Sequence, residues 1–277
     1  MAVVEIQNVS QTFGHGELAV QALKPTSLSI EAGELVALLG PSGSGKSTLL
    51  LAISLIQPPT TGRIAIDGQV LFDDGPTGID VRAFRRQKIG FIFQQHNLIP
   101  FLTALENVAL MLQLNGVGRR ESNRRAMEVL GYLEIAHRAD SLPAQMSGGE
   151  QQRVAIGRAL ANEPALILAD EPTAALDTER GTKVMAMLRK IARERRSAVI
   201  AVTHDHRMIA GFDTVYHLDD GRLTQVERSA TAAGPIAARL SGSSWMKLVR
   251  FMKSSTESPE EKRARRPVGS TWLGPAT

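Results

Sequence analysis

No cysteine occurs among the 277 residues. That absence excludes disulfides, thiolate metal sites and a cysteine nucleophile, and it allows a reducing compartment. Long apolar runs are missing as well. A membrane-spanning helix needs about 20 apolar residues, and the longest runs, LLLAISLI (49–56) and LVALL (35–39), are the size of core elements. The stretch MAVVEIQNV at the start has no basic region ahead of an apolar one, so it does not read as a secretory signal. No internal repeat is visible. The expectation is a soluble chain whose contact with any membrane is peripheral or made through a partner.

What is present is the mix of a globular protein. Hydrophobic residues make up 43% and charged residues 22%, close to the soluble average, which excludes collagen, coiled coil and disorder throughout. The formal net charge of +4 is unevenly placed. Residues 226–277 hold nine Lys/Arg and four Asp/Glu, leaving 23 basic and 24 acidic residues in 1–225. A basic balance points to nucleic acid when it covers a fold. Here it belongs to the tail, so no nucleic-acid partner is expected for the body.

The order of elements is legible in outline. VVEIQNVSQTF and LKPTSLSIEAG read as β, and RIAIDGQVLF reads as two outer strands about a turn at Asp67-Gly68. ELVALLG, ALILAD (165–170) and SAVIAVT (197–203) are continuous apolar runs, as buried parallel strands are. Helices are expected at 47–56, through most of 95–160, and at 179–195. Strands alternating with helices imply an α/β protein with a parallel sheet covered on both faces.

One segment carries chemistry by itself. Gly40, Pro41, Ser42, Gly43, Ser44, Gly45, Lys46 and Ser47 fit G-x(4)-G-K-[ST], with Thr48 next, after an apolar strand and before a helix. Glycines let backbone N–H groups close around a polyanion, and the helix start adds its positive dipole end. Lys46 reaches the β- and γ-phosphates, and the Ser47 hydroxyl is a ligand for Mg²⁺. Asp170 and Glu171 end a buried strand, at the crevice where open α/β sheets bind ligands. Asp170 suits Mg²⁺, directly or through water, and Glu171 suits a general base for water. His204 ends the next strand, in VTHD. A lone histidine more often packs than reacts, but this one leaves the same sheet edge. It can donate to a γ-phosphate and accept elsewhere.

The string MSGGEQQRVAIGRAL (146–160), followed by ALILADEPTAALD (165–177), resembles the ATP-binding subunits of ABC transporters. Ser147, Gly148, Gly149, Glu150 and Gln151 match a signature whose usual form is LSGGQ; Met146 replaces Leu and Glu150 replaces the first Gln. The order of the motifs also matches, across roughly residues 3–225. The resemblance implies a P-loop NTPase cassette with a mostly parallel core sheet, an antiparallel β subdomain, a helical subdomain at about 95–160 and a basic extension from 226. It implies ATP as ligand with Mg²⁺. It makes Phe13 the aromatic that stacks on adenine and Gln94 the residue that touches Mg²⁺ and the lytic water, with Gln95 an adjacent competitor. Asp177 becomes the D-loop aspartate and His204 the switch histidine. It also implies that two cassettes bind head to tail, the signature of one closing over the phosphate loop of the other.

Two readings of the function follow. RAFRRQKIGFIFQQHNLIPFLTALENVAL resembles the lipoprotein-releasing, macrolide-efflux and heterocyst-glycolipid exporter group, and also the cell-division cassette that regulates a membrane partner without transport. Soluble DNA-repair or translation cassettes would need heptad arms or a second cassette, which the sequence lacks. In the transporter reading the chain lies at the cytoplasmic face of the inner membrane and docks on a permease through the segment around Gln94 to Asn107. Leu98, Ile99 and Phe101 either meet that partner or pack the helical subdomain. In the tail, Trp245, Leu248, Val249 and Met252 with Lys247, Arg250 and Lys253 read as a basic amphipathic helix, for anionic lipid or for packing on the body.

Overall fold

The computed structural model describes residues 2–174, 178–204, 209 and 211–228. Two sheets organise it. Strands β1 (Ala2–Phe13), β2 (Val20–Glu31), β4 (Thr61–Ile66) and β5 (Gln69–Asp73) pair antiparallel in the order β2-β1-β4-β5. The second sheet runs β10-β9-β3-β8-β7-β6, from β3 (Leu35–Leu39), β6 (Ile89–Ile92), β7 (Leu166–Asp170), β8 (Ala198–Thr203), β9 (Thr214–Asp219) and β10 (Arg222–Arg228). Its five strands from β9 to β6 are parallel, and only β10 runs antiparallel at the edge.

The two-residue period of a strand divides the core. Leu35, Ala37 and Leu39 of β3, Ile167 and Ala169 of β7, and Val199 and Ala201 of β8 face one layer. That layer is built by α3 (Ala104–Gln113), α4 (Arg119–Tyr132), α5 (Gly148–Leu160) and α6 (Thr178–Arg195). Val36, Leu38, Leu166, Leu168, Ile200 and Val202 face the other, against α1 (Lys46–Ile53), α2 (Val81–Lys88) and the antiparallel sheet. Because β3, β7 and β8 are buried on both faces, their sequences show no polar alternation.

Strands β1 to β5, β7 and β8 and the long helices fall where the sequence puts them, with differences at the ends, whereas β6, β9, β10 and α2 lie outside the expected elements. The expected helix at 47–56 stops at Ile53, and Leu55 turns the chain with φ +53°. Strand β10 continues through Gln225 to Arg228, past the change in composition. The basic tail helix around Trp245 and its lipid contact lie outside the described residues, as does Asp177. Among the described residues no helix is long and apolar enough to cross a membrane.

One buried carboxylate ties the sheet to its helical cover. Asp213, just before β9, accepts from the Leu35 amide at 2.9 Å through one oxygen. Its other oxygen accepts from Arg193 at 3.0 Å and lies 3.5 Å from Arg189, both on α6. Asp213→Ala leaves the buried amide unpaired. Because both arginines are partly exposed, the expected loss is about 2–3 kcal/mol, a fall in Tm of roughly 4–12 °C by calorimetry. A Tm unchanged within 1 °C or so contradicts this role.

Candidate active site

The phosphate loop is shaped by close backbone approach. A Cβ on Gly40 would stand 2.0 Å from the Leu218 carbonyl oxygen, and one on Gly45 would stand 2.8 Å from that of Ala22, at φ +99°. Only glycine brings the loop this near to both β9 and β2. Lys46, the first residue of α1, is 93% buried. Its ammonium donates to the carbonyls of Gly40 at 2.8 Å and Pro41 at 2.6 Å, and to the Ser44 hydroxyl at 3.4 Å. Burial lowers its pKa, while the carboxylates of Glu171 and Asp170 oppose that shift. Pro41, Ser42, Gly43 and Ser47 are exposed, and Thr48 is half-buried. The first turn of α1 directs N–H groups without helical partners out of the same end.

Adjacent parallel strands bring the other groups to this edge. Strand β8 lies beside β3, β7 beside β8, and β6 beside β7. Their C-terminal ends therefore deliver the phosphate loop, His204, Asp170 with Glu171, and the Gln94 segment side by side. Burial and then Glu171 raise the Asp170 pKa, with Lys46 opposing. Glu171 takes a left-handed conformation, φ +46°, its amide donating to the Val202 carbonyl at 3.1 Å. The strand ends there and the side chain turns to the sheet edge. Its Oε1 lies 2.9 Å from His204 Nδ1.

An ionised carboxylate offers only acceptors, so toward ionised Glu171 the His204 Nδ1–H is the donor, and in the neutral ring Nε2 is then the acceptor.

Gln94 and Gln95 are both exposed just after β6. Phe13 closes β1 opposite Val20 and is 37% exposed. Sequence reasoning missed Gln152, on α5, which is 2% exposed and donates to the Pro172 carbonyl at 3.2 Å, bracing the turn after Glu171. It also missed His96, whose Nδ1 lies 3.2 Å from Gln151 Oε1. A run of polar residues in a helix start carries no signal for such contacts across the fold.

The signature opens α5. Ser147 is its N-cap, accepting from the Glu150 amide at 3.4 Å, while Glu150 accepts from the Ser147 amide at 2.7 Å. Arg138 Nε donates to the same carboxylate at 2.8 Å. The Ser147 backbone and then Arg138 hold the Glu150 pKa down to about 2. Gly148 and Gly149 have no atom within 4 Å of where a Cβ would stand. Met146 is buried.

The donor set suits Mg²⁺. Among the described residues no three His, Cys, Asp or Glu gather into a metal cage. Ser47 and the half-buried Asp170 would supply the one or two protein oxygens that Mg²⁺ takes when phosphates and water complete its shell.

Comparison with known proteins agrees with the geometry. The ABC transporter family model matches residues 23–174. The chain is 46% identical over 233 residues to the ABC transporter ATP-binding protein MJ0796 of Methanocaldococcus jannaschii, covering 82% of this chain and 97% of that one. It is 41% identical over 225 residues to the lipoprotein-releasing system ATP-binding protein LolD of Shewanella frigidimarina, covering 81% and 93%. The solved dimeric, post-hydrolysis structure of the MJ0796 cassette bound to ADP and Pi superposes with a TM-score of 0.73 at 43% identity, over 84% of this chain and all of that one. The chain therefore belongs to the ABC transporter family, as its ATP-binding and ATP-hydrolysing cassette.

Proposed function

We propose that two copies of this chain, bound to the cytoplasmic face of a membrane permease, hydrolyse ATP to drive export of a lipid, lipoprotein or other hydrophobic substrate. The observation that carries the reading is the meeting of Lys46, Asp170, Glu171 and His204 at the ends of three adjacent parallel strands. The likeness to LolD supports the class of substrate.

The residues divide the work. Phe13 stacks on the adenine. The loop amides and Lys46 bind the β- and γ-phosphates. Ser47 and Asp170, with Gln94, would hold Mg²⁺, which would neutralise charge on those oxygens. Glu171 takes a proton from the attacking water as its oxygen bonds to the γ-phosphorus. The bond to the β–γ bridging oxygen breaks, and ADP leaves with that electron pair. His204 orients Glu171 through Nδ1–H. Ser147, Gly148, Gly149 and Glu150 of one copy face the terminal phosphate held by the other. Loss of the bound phosphate frees the halves to part.

Phe101 suits the permease contact. It is 77% exposed, whereas Leu98 packs against the core and Ile99 is half-buried. The loop is pinned from beneath by buried Asn107, which accepts from the Ile99 amide at 2.8 Å and donates to the Leu102 carbonyl at 2.9 Å. Co-purified with its membrane protein and placed in vesicles, the complex is expected to show ATPase stimulated by a lipidated substrate. Phe101→Ser is expected to uncouple it without lowering the ATPase of the isolated chain. A stable complex whose ATPase ignores every such substrate favours the regulatory, cell-division-type reading instead.

A further inference from the structure

We infer that Arg138 is a positioning residue for the composite ATP site: its guanidinium cancels the charge that Glu150 brings to the start of α5, so that this helix end accepts the partner copy's terminal phosphate. The inference rests on the dimer reading above. The start of a helix attracts anions, and Ser147, Gly148 and Gly149 leave it open. Yet Glu150 puts a carboxylate on its first turn, with its pKa held down to about 2 by the Ser147 backbone and Arg138. A glutamine would make the same capping box. The carboxylate is therefore not needed for the cap, and uncorrected it repels the phosphate that the site is to receive.

Arg138 supplies the correction. It lies at the end of a short 3-10 turn, Ala136–Arg138, twelve residues before Glu150. Its Nε donates to Glu150 Oε1 at 2.8 Å, while Oε2 accepts from the Ser147 amide. His137 Nε2 is the other basic group near this carboxylate, at 3.8 Å. Arg138 is 39% and Glu150 20% exposed at the side chain. A pair so close to solvent contributes little to folding. Its effect falls instead on the field that an incoming anion meets.

The test uses full-length protein carrying Glu171→Gln, so that hydrolysis does not dissolve the complex, and reads the ATP concentration at half dimerisation by sedimentation velocity. Arg138→Ala and Arg138→Gln are expected to raise it by about three- to thirty-fold. Arg138→Lys, which keeps the charge, is expected to stay within about twofold of the parent. Added to Glu150→Gln, Arg138→Ala is expected to change the half-point less than about twofold. Tm is expected to move by no more than about 3 °C in each variant. An unmoved half-point in Arg138→Ala, or an equal shift with and without Glu150→Gln, overturns the inference alone. If the Glu171→Gln protein with Arg138 intact stays monomeric at saturating ATP, the dimer reading falls and this inference with it.

Discussion

Replacing Glu171 by glutamine is expected to lower ATP turnover by about 10²–10⁴-fold, the usual worth of a positioned general base. The carboxamide keeps the size of the side chain and its acceptor oxygen, so the bond to His204 Nδ1 survives. It cannot take the proton that the attacking water must lose. Nucleotide binding, which rests on the phosphate loop, is expected to stay within about threefold, because the loop's own hydrogen bonds do not involve Glu171. Phosphate release and equilibrium binding of a fluorescent ATP separate the two effects. Turnover at the wild-type rate would remove Glu171 from the role of base.

Lys46→Ala is expected to have the larger effect on binding. The ammonium is the one cation that the loop itself presents, and burial already strips it of water. Its removal takes away charge-assisted bonds to the β- and γ-phosphates, worth about 10- to 150-fold each in affinity. Three loop acceptors also lose their common donor, so the Gly40–Gly45 turn loosens. Asp170 loses the positive charge that now opposes the rise in its pKa. It is then protonated up to a higher pH than before, which weakens it as a metal ligand from the acid side. Titration calorimetry with ATP and with ADP checks this. Affinity within twofold of the parent would contradict it.

The sequence showed this site unevenly, and the reasons are physical. The phosphate loop is legible because its chemistry needs glycine at fixed spacing after a strand, and nothing distant has to be known. Strands β3, β7 and β8 are legible because burial on both faces leaves an unbroken apolar run. Strand β6 is not. It has four residues and contains Gly90, which reads as a breaker, yet a Cβ there would meet the Ala159 carbonyl at 2.4 Å. The glycine is there because α5 packs against the strand. Helix α2 hides for a different reason: of its eight residues only Phe84 is buried, so no apolar stripe forms.

Contacts across the fold were the least legible. Glu171 and His204 are 33 residues apart and meet because β7 and β8 are neighbours in the sheet. Their existence as candidates could be read, but the sense of their hydrogen bond could not. Arg138 and Glu150 join a three-residue turn to a helix start, a pairing that neither helical nor strand periodicity encodes.

The account stands on two copies sharing ATP, each completing the other's site. Sedimentation of Glu171→Gln protein, alone and with its membrane partner, tests that most directly. With ATP the species is expected to pass from 29.9 kDa to twice that mass, and Lys46→Ala is expected to abolish the change. A turnover-blocked chain that binds ATP and remains a monomer in both settings would contradict the account.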